Sequence, residues 1–280
     1  MNDRQNEEII LKIQYAARNR YNTAEKLRRL SFVLSLLPLL FLIPFPDQFQ
    51  KVGSTLTIVI DLAIWGMIYT SNRFVDDAAA FRNYFDCYVF GFSMPPEIES
   101  SKIKEDALKI FRKNSSAAQF QISHTGEDDP PGVKNWYTFT KKSADAEAIY
   151  QCQLENAWWT SKMFLMKGIA LTICFLLILG LAIVLRVAFD IAWLTLILAF
   201  FGILTKLLDQ ITNIIALMVI SLKINGAIQV LAVTRTKNQV RALQTLIDEQ
   251  RKIPFLPSNR MHRKKAKELS ALYKKSHLMQ

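Results

Sequence analysis

Thr205, Lys206, Asp209, Gln210 and Asn213 recur at intervals of one, four, five and eight residues, so a helix would carry them down one side. They interrupt an otherwise apolar stretch, where a charge costs some kcal/mol on insertion scales. Asp61 is a second charge of this kind. Two chemistries fit these residues. Lys206 and Asp209 can pair at i, i+3 and, with Asp61 opposite, face other helices or a water-filled path. Alternatively the side chains form a buried polar seam that only orders a helix bundle. Catalysis has no comparable foothold. The chain has no Walker motif, GxGxxG, HExxH or GxSxG, and His124, His262 and His277 lack ligand-type spacing. Cys87, Cys152 and Cys174 form no CxxC and no disulfide framework. The expectation is a protein that is not an enzyme and holds no metal or cofactor.

The elements that must position these residues are apolar helices. Four stretches are too apolar for a soluble surface: Leu30 to Phe45, Val52 to Thr70, Met163 to Leu185 and Ile191 to Leu208. About 20 apolar residues at about 1.5 Å rise cover a hydrocarbon core of about 30 Å. The stretches fall in two close pairs around a polar insert. The expected fold is therefore an all-α integral membrane protein, four transmembrane helices in two hairpins with a mainly helical cytoplasmic domain. Its units are an N-terminal helix (1–29), hairpin 1 (30–70), the insert (71–162), hairpin 2 (163–208), and a helical extension with a basic tail (209–280). The first span is the shortest, and Pro38 removes a backbone donor within it, so a kinked or partly embedded helix competes with a full span.

Lysine and arginine stay on the cytoplasmic side of a membrane. Of 35, seven lie in residues 1–30, eleven in 71–162 and thirteen in 223–280, which makes both termini and the insert cytoplasmic. The tail sets its thirteen cations against Asp248, Glu249 and Glu268. It could touch anionic lipid or a phosphate-bearing partner, or simply be a solvated face.

The cytoplasmic parts read as helical. Phe74, Val75, Ala78, Phe81, Phe85, Tyr88 and Val89 repeat at three and four, so the second span continues until Gly91 and Pro95-Pro96 end it. An amphipathic helix follows from about Pro96 to Lys113, then a loop, Ser123 to Asn135, broken by Gly and Pro. From Ser143 nothing breaks the helix before the third span. The fourth span runs on along Ile224, Ala227, Ile228, Leu231, Val240, Leu243 and Ile247 toward Pro254 and Pro257.

The insert contains three short words. Phe85-Asp86-Cys87-Tyr88-Val89-Phe90-Gly91 follows the second span, Asn135-Trp136-Tyr137 ends the loop, and Gln151-Cys152-Gln153-Leu154-Glu155-Asn156-Ala157-Trp158-Trp159 leads into the third span. Their order and placement resemble the SMODS-associating four-transmembrane effector family of bacterial cyclic-oligonucleotide anti-phage signalling (CBASS) systems. The resemblance departs at Leu154, where the family pattern carries an arginine, and after Trp158, where it carries an acidic residue. It implies an inner-membrane effector that binds a cyclic di- or trinucleotide made by a partner nucleotidyltransferase, forms a homo-oligomer and damages the lipid bilayer. No nucleic acid polymer is an expected partner.

Such a ligand presents phosphates and flat bases, which call for guanidinium or ammonium groups, aromatic faces and amides. The insert supplies Arg73, Arg82, Trp136, Tyr137, Gln153, Asn156, Trp159 and Lys162 as candidate ligand-binding residues, and Gln153 and Asn156 share a helical face. Each has a plainer role: Trp158 and Trp159 as an interfacial belt, Asp86 with Arg82 as an i, i+4 surface pair, Gln153 and Asn156 as bridges between helices. Asp61, Lys206, Asp209 and Asn213 make the candidate membrane polar seam. A constitutive channel or transporter subunit, or a scaffold presenting its basic tail, are the competing functions.

Overall fold

The computed structural model describes residues 1–42, 47–137, 144–255 and six positions of the tail, 265, 268, 269, 272, 273 and 275. Its described elements are helical: α1 (Asn2–Gln5), α2 (Glu8–Leu34), α3 (Asp47–Phe90), α4 (Glu97–Lys113), α5 (Ser115–Ser123), α6 (Ala146–Phe189), α7 (Trp193–Val233) and α8 (Lys237–Arg251). Helices α3 and α6 each have 44 residues, about 65 Å at 1.5 Å per residue. Each is therefore long enough to leave a bilayer and continue into a packed domain without a break. Gly91 ends α3 with a left-handed φ of +67°, a conformation open to glycine at little cost.

Two ends of the molecule differ in how they treat apolar side chains. At one end α2, α3, α6, α7 and α8 share a core that includes Ile13, Ala16, Phe85, Phe90, Ile149, Cys152, Ile224, Leu231, Val240 and Leu243. At the other end large apolar residues face outward, among them Ile58, Leu62 and Trp65 on α3, Leu177 and Val187 on α6, and Leu194 on α7. A surface of that size and composition fits lipid rather than water. Among the described residues two helices, Ala146–Phe189 and Ala199–Val233, are long and apolar enough to cross a membrane. The second apolar stretch lies within α3.

One expectation needs correction, and two stretches that the sequence left open are now defined. The first apolar stretch is not one α-helix: α2 stops at Leu34 and a 3-10 segment, Leu37–Leu42, follows; positions 43–45 lie outside the described residues. Pro38 explains the break, because it lacks an N–H and disfavours α geometry at the residue before it. The fourth helix does not run through to Pro254. It ends at Val233, and Thr236 starts α8 with a capping box, its side chain receiving the Gln239 N–H while Gln239 reaches back to the Thr236 N–H. The apolar positions on either side, Leu231 and Val240, are nine residues apart, and the chain turns there to fold α8 back on α6 and α7. Finally, α5 occupies a stretch where no helix was expected. Most of the tail beyond Pro254, and the run 138–143 before α6, lie outside the described residues.

Candidate functional site

The three words meet at Asp86. Its side chain is fully buried and accepts three hydrogen bonds: Tyr137 Oη at 2.6 Å, Arg251 Nη1 at 2.6 Å and Gln244 Nε2 at 2.8 Å. Tyr137 in turn accepts from Asn156 Nδ2 at 3.0 Å. Gln153 donates to Gln244 Oε1 at 3.0 Å and to the Val240 carbonyl at 2.8 Å. Asp248 receives Arg251 Nη1, Gln244 Nε2 and Asn83 Nδ2. The result is one polar centre joining α3, the loop before α6, α6 itself and α8.

Each element holds its part of the centre for a local reason. Phe85 and Phe90 flank Asp86 on α3 and pack on the Tyr137 ring at centroid distances of 6.1 and 5.3 Å. The Tyr137 backbone is clamped by Gln5, which accepts its N–H at 2.9 Å and donates to its carbonyl at 3.4 Å. Asn135, in a left-handed conformation with φ of +51°, exchanges hydrogen bonds with Asn6. Arg18 donates to the carbonyls of Pro131 and Gly132. The N-terminal helices thus fix the loop that delivers Trp136 and Tyr137. A cleft of about 390 Å³ lined by Arg18, Asn22, Phe120, Gln121, Pro130 and Pro131 lies beside this loop, not at Asp86.

Burial and charge act together at this centre. Burial opposes the Arg251 charge, but the Asp86 and Asp248 carboxylates outweigh it and hold the guanidinium above the ordinary arginine range. Asp248 is raised from the ordinary carboxylate value, by burial first and against the pull of Arg251. Burial and then the Asp86 charge raise Tyr137, so the phenol stays a donor. Burial, with Asp248 and Asp86 nearby, pushes the Cys87 thiol up to about 11. Arg82 lies over the Trp136 ring, 3.8 Å from its centroid, and burial together with the neighbouring Arg251 brings its guanidinium down to about 10.

Of the eight candidate ligand-binding residues, five come together here: Arg82, Trp136, Tyr137, Gln153 and Asn156. Three do not. Arg73 is exposed with its guanidinium over Tyr69, Lys162 is exposed with its ammonium over Trp158, and Trp159 packs edge-on against Trp158. Asp86 is not a surface partner of Arg82; it is buried and pairs with Arg251. The sequence reading missed Gln5, Tyr21, whose hydroxyl donates to the Arg251 carbonyl, Gln244, Asp248 and Arg251. The last three lie at i, i+4 and i+7, a polar line beside the apolar stripe of Val240, Leu243 and Ile247. In the tail, Leu269 and Tyr273 are buried, and Tyr273 packs on Trp158 at 5.3 Å.

The polar stripe of α7 faces α2 and α3. Lys206 and Asp209 do not pair with each other. Arg28 reaches in from α2 and binds Asp209 at 2.9 Å, Ser71 at 3.1 Å and Asn72 at 2.6 Å, while Lys206 donates to the Arg28 carbonyl and the Ser31 hydroxyl. The forked guanidinium reaches three acceptors at once, which an intrahelical Lys206–Asp209 pair would leave unmet. Asp61 faces α7 at Gly202, where an added Cβ would sit 2.6 Å from its Oδ1. Neither Asp61 Oδ1 nor Asn213 Nδ2 has a hydrogen-bond partner.

Among the described residues no His, Cys, Asp and Glu cluster could hold a metal ion. No curated protein and no solved structure matches the chain. Residues 1–254 match the family model described as the SMODS-associating 4TM effector domain, a span that ends just past Arg251 and contains every helix of the polar centre. With two long apolar helices and the three words gathered on α3, the loop and α6, this all-helical chain belongs to the SMODS-associating 4TM effector family.

Proposed function

We propose that the chain is a cyclic-oligonucleotide-activated effector of anti-phage defence. It sits in the bacterial inner membrane with four spans and both termini cytoplasmic, assembles as a homo-oligomer and disrupts the bilayer. The observation that carries this reading is the polar centre at Asp86. It gathers a guanidinium of α3, the aromatic face and phenol of the loop, and two amides of α6, the side-chain types a nucleotide needs, and both helices run unbroken into apolar stretches. A ligand that favours one arrangement of α3, α6 and α8 can shift the hairpins joined to them.

Two further features support it. Arg28, Ser71, Asn72 and Asp209 meet in one cluster, and each lies within a residue or two of a span boundary drawn from hydropathy and charge. Beyond that cluster, Ile215, Val219, Leu222, Gly226, Val230 and Val233 form an exposed stripe on α7 with three- and four-residue spacing, suited to packing against a second copy. A constitutive channel is the weaker reading, because Lys206 and Asp209 are already bound within the helices.

The test is dye release from liposomes carrying the purified protein, challenged with a panel of cyclic di- and trinucleotides. Release triggered by one compound is expected. Release that is equal with and without every compound would remove the gating.

A further inference from the structure

Resting on the effector reading, we propose that Arg82 and Arg251 are the phosphate-reading pair of the ligand site. In the closed chain Asp86 stands on Arg251 where a phosphodiester of the ligand would bind.

The donor set at Asp86 is built for an anion. Three N–H and O–H donors from separate elements, Arg251 Nη1, Tyr137 Oη and Gln244 Nε2, converge on its two oxygens at 2.6, 2.6 and 2.8 Å. A phosphodiester also offers two anionic oxygens, and a guanidinium fork suits it as well as it suits a carboxylate. Two donors and one acceptor of this centre are left unmet. Arg82 Nη1 and Arg251 Nη2 are both buried without a hydrogen-bond partner. Gln153, with no exposed surface, leaves its Oε1 unpaired on the same network. Buried polar groups in folded proteins are nearly always satisfied, so unmet donors on two neighbouring guanidiniums point to a further anion. Trp136 already gives Arg82 an aromatic face, and the spare Gln153 carbonyl can accept from a base amino group.

The same arrangement explains how the ligand would act. While Asp86 holds Arg251, α8 is tied to α3 and the anion position on Arg251 is taken. A phosphodiester gains that position only when α8 parts from α3, so the ligand binds the open arrangement and not the closed one. That differential affinity is the requirement for a population shift. Tyr21, whose hydroxyl donates to the Arg251 carbonyl at 3.3 Å, and Asn83, which holds Asp248, are the other ties of α8 that must yield.

The test uses the full chain in lipid nanodiscs with inorganic pyrophosphate as probe, read as the shift in thermal midpoint, and the same variants in the liposome assay. Pyrophosphate should raise the midpoint of the parent, and Arg82→Gln and Arg251→Gln should each lose at least tenfold in half-maximal concentration. Asp86→Asn, which removes the competing carboxylate, should respond at lower pyrophosphate than the parent. No shift in the parent, or equal shifts in parent, Arg82→Gln and Arg251→Gln, overturns the pair. If the variants at the buried Asp86–Arg251 pair do not fold, the half-buried Arg82 carries the comparison alone. A parent that responds to pyrophosphate through Arg82 yet leaks with no cyclic nucleotide keeps the pair and removes the effector reading. Nucleotide-triggered leakage with the same half-maximal concentration in the parent and both arginine variants does the reverse.

Discussion

At Asp86 a fully buried carboxylate is tolerated because three donors, one of them a guanidinium, surround it. Removing Arg251 leaves that charge uncompensated, a loss of about 3–5 kcal/mol for a buried pair. Asp248 behaves differently, since burial raises it above its ordinary value of 3.8 despite the same arginine. A raised folded value means that the folded chain holds this proton more tightly than the unfolded one. Its contribution to stability is therefore fully present below 3.8 and is lost as pH rises through the folded value. Thermal midpoints measured between about pH 4 and pH 7 should fall less in Asp248→Asn than in the parent, because the variant lacks that titration. An identical slope in both would show that burial does not raise Asp248 in the folded chain.

The loop of residues 124–137 delivers Trp136 and Tyr137 without regular secondary structure, so its own packing must be tight. Gly132 is the tightest point, with its N–H on the Thr125 carbonyl at 2.6 Å. A Cβ there would lie 1.8 Å from the His124 carbonyl oxygen and 2.5 Å from that of Gln121. Both are backbone atoms that cannot swing aside. Gly132→Ala should cost about 1–3 kcal/mol of overpacking strain and move Tyr137 away from Asp86. Near-ultraviolet circular dichroism and chemical denaturation would detect it, and a midpoint equal to the parent's would contradict the close approach. Gly202 is the contrasting case. Its Cβ would meet the far end of the Asp61 side chain, which can rotate.

For the whole molecule, the polar cluster at Arg28 divides two kinds of apolar surface. On the side of Ile58, Leu62 and Leu177, the outward-facing apolar residues suit lipid. On the other side, Leu222 and Val233 of α7 remain 71% and 86% exposed next to a core that includes Ile224 and Leu231 of the same helix. In the proposed homo-oligomer, copies anchored in one membrane would present α7 in parallel and at the same height, the geometry in which a stripe of three- and four-residue spacing packs on itself. Leu222→Asp should fold normally, since an exposed substitution costs within about 0.5 kcal/mol, yet shift the detergent-solubilised protein to a smaller oligomer on sizing with light scattering. An unchanged oligomer would move the contact to another face.

Much of this architecture was legible in the residues. Helicity, the unbroken continuation of α3 and of α6 through their apolar stretches, and the stop at Gly91 follow from periodicity and backbone chemistry, which act over a few neighbouring residues. The first apolar stretch and the α7–α8 break were less legible. Pro38 acts against hydropathy in one, and in the other Leu231 and Val240, nine residues apart, would lie on opposite faces of a straight helix, so the Thr236 cap and the turn bring both into one core.

The sequence by itself determined which segments are apolar, which are helical, and that the insert carries three words. Only the tertiary structure decided that Asp86 answers to Arg251 and not to Arg82, and that Asp209 answers to Arg28 and not to Lys206. Spacing along a helix limits which side chains can meet within it, but a buried charge takes the partner that best satisfies its oxygens. For Asp86 that partner is 165 residues away and for Asp209 it is 181, distances over which sequence spacing carries no information.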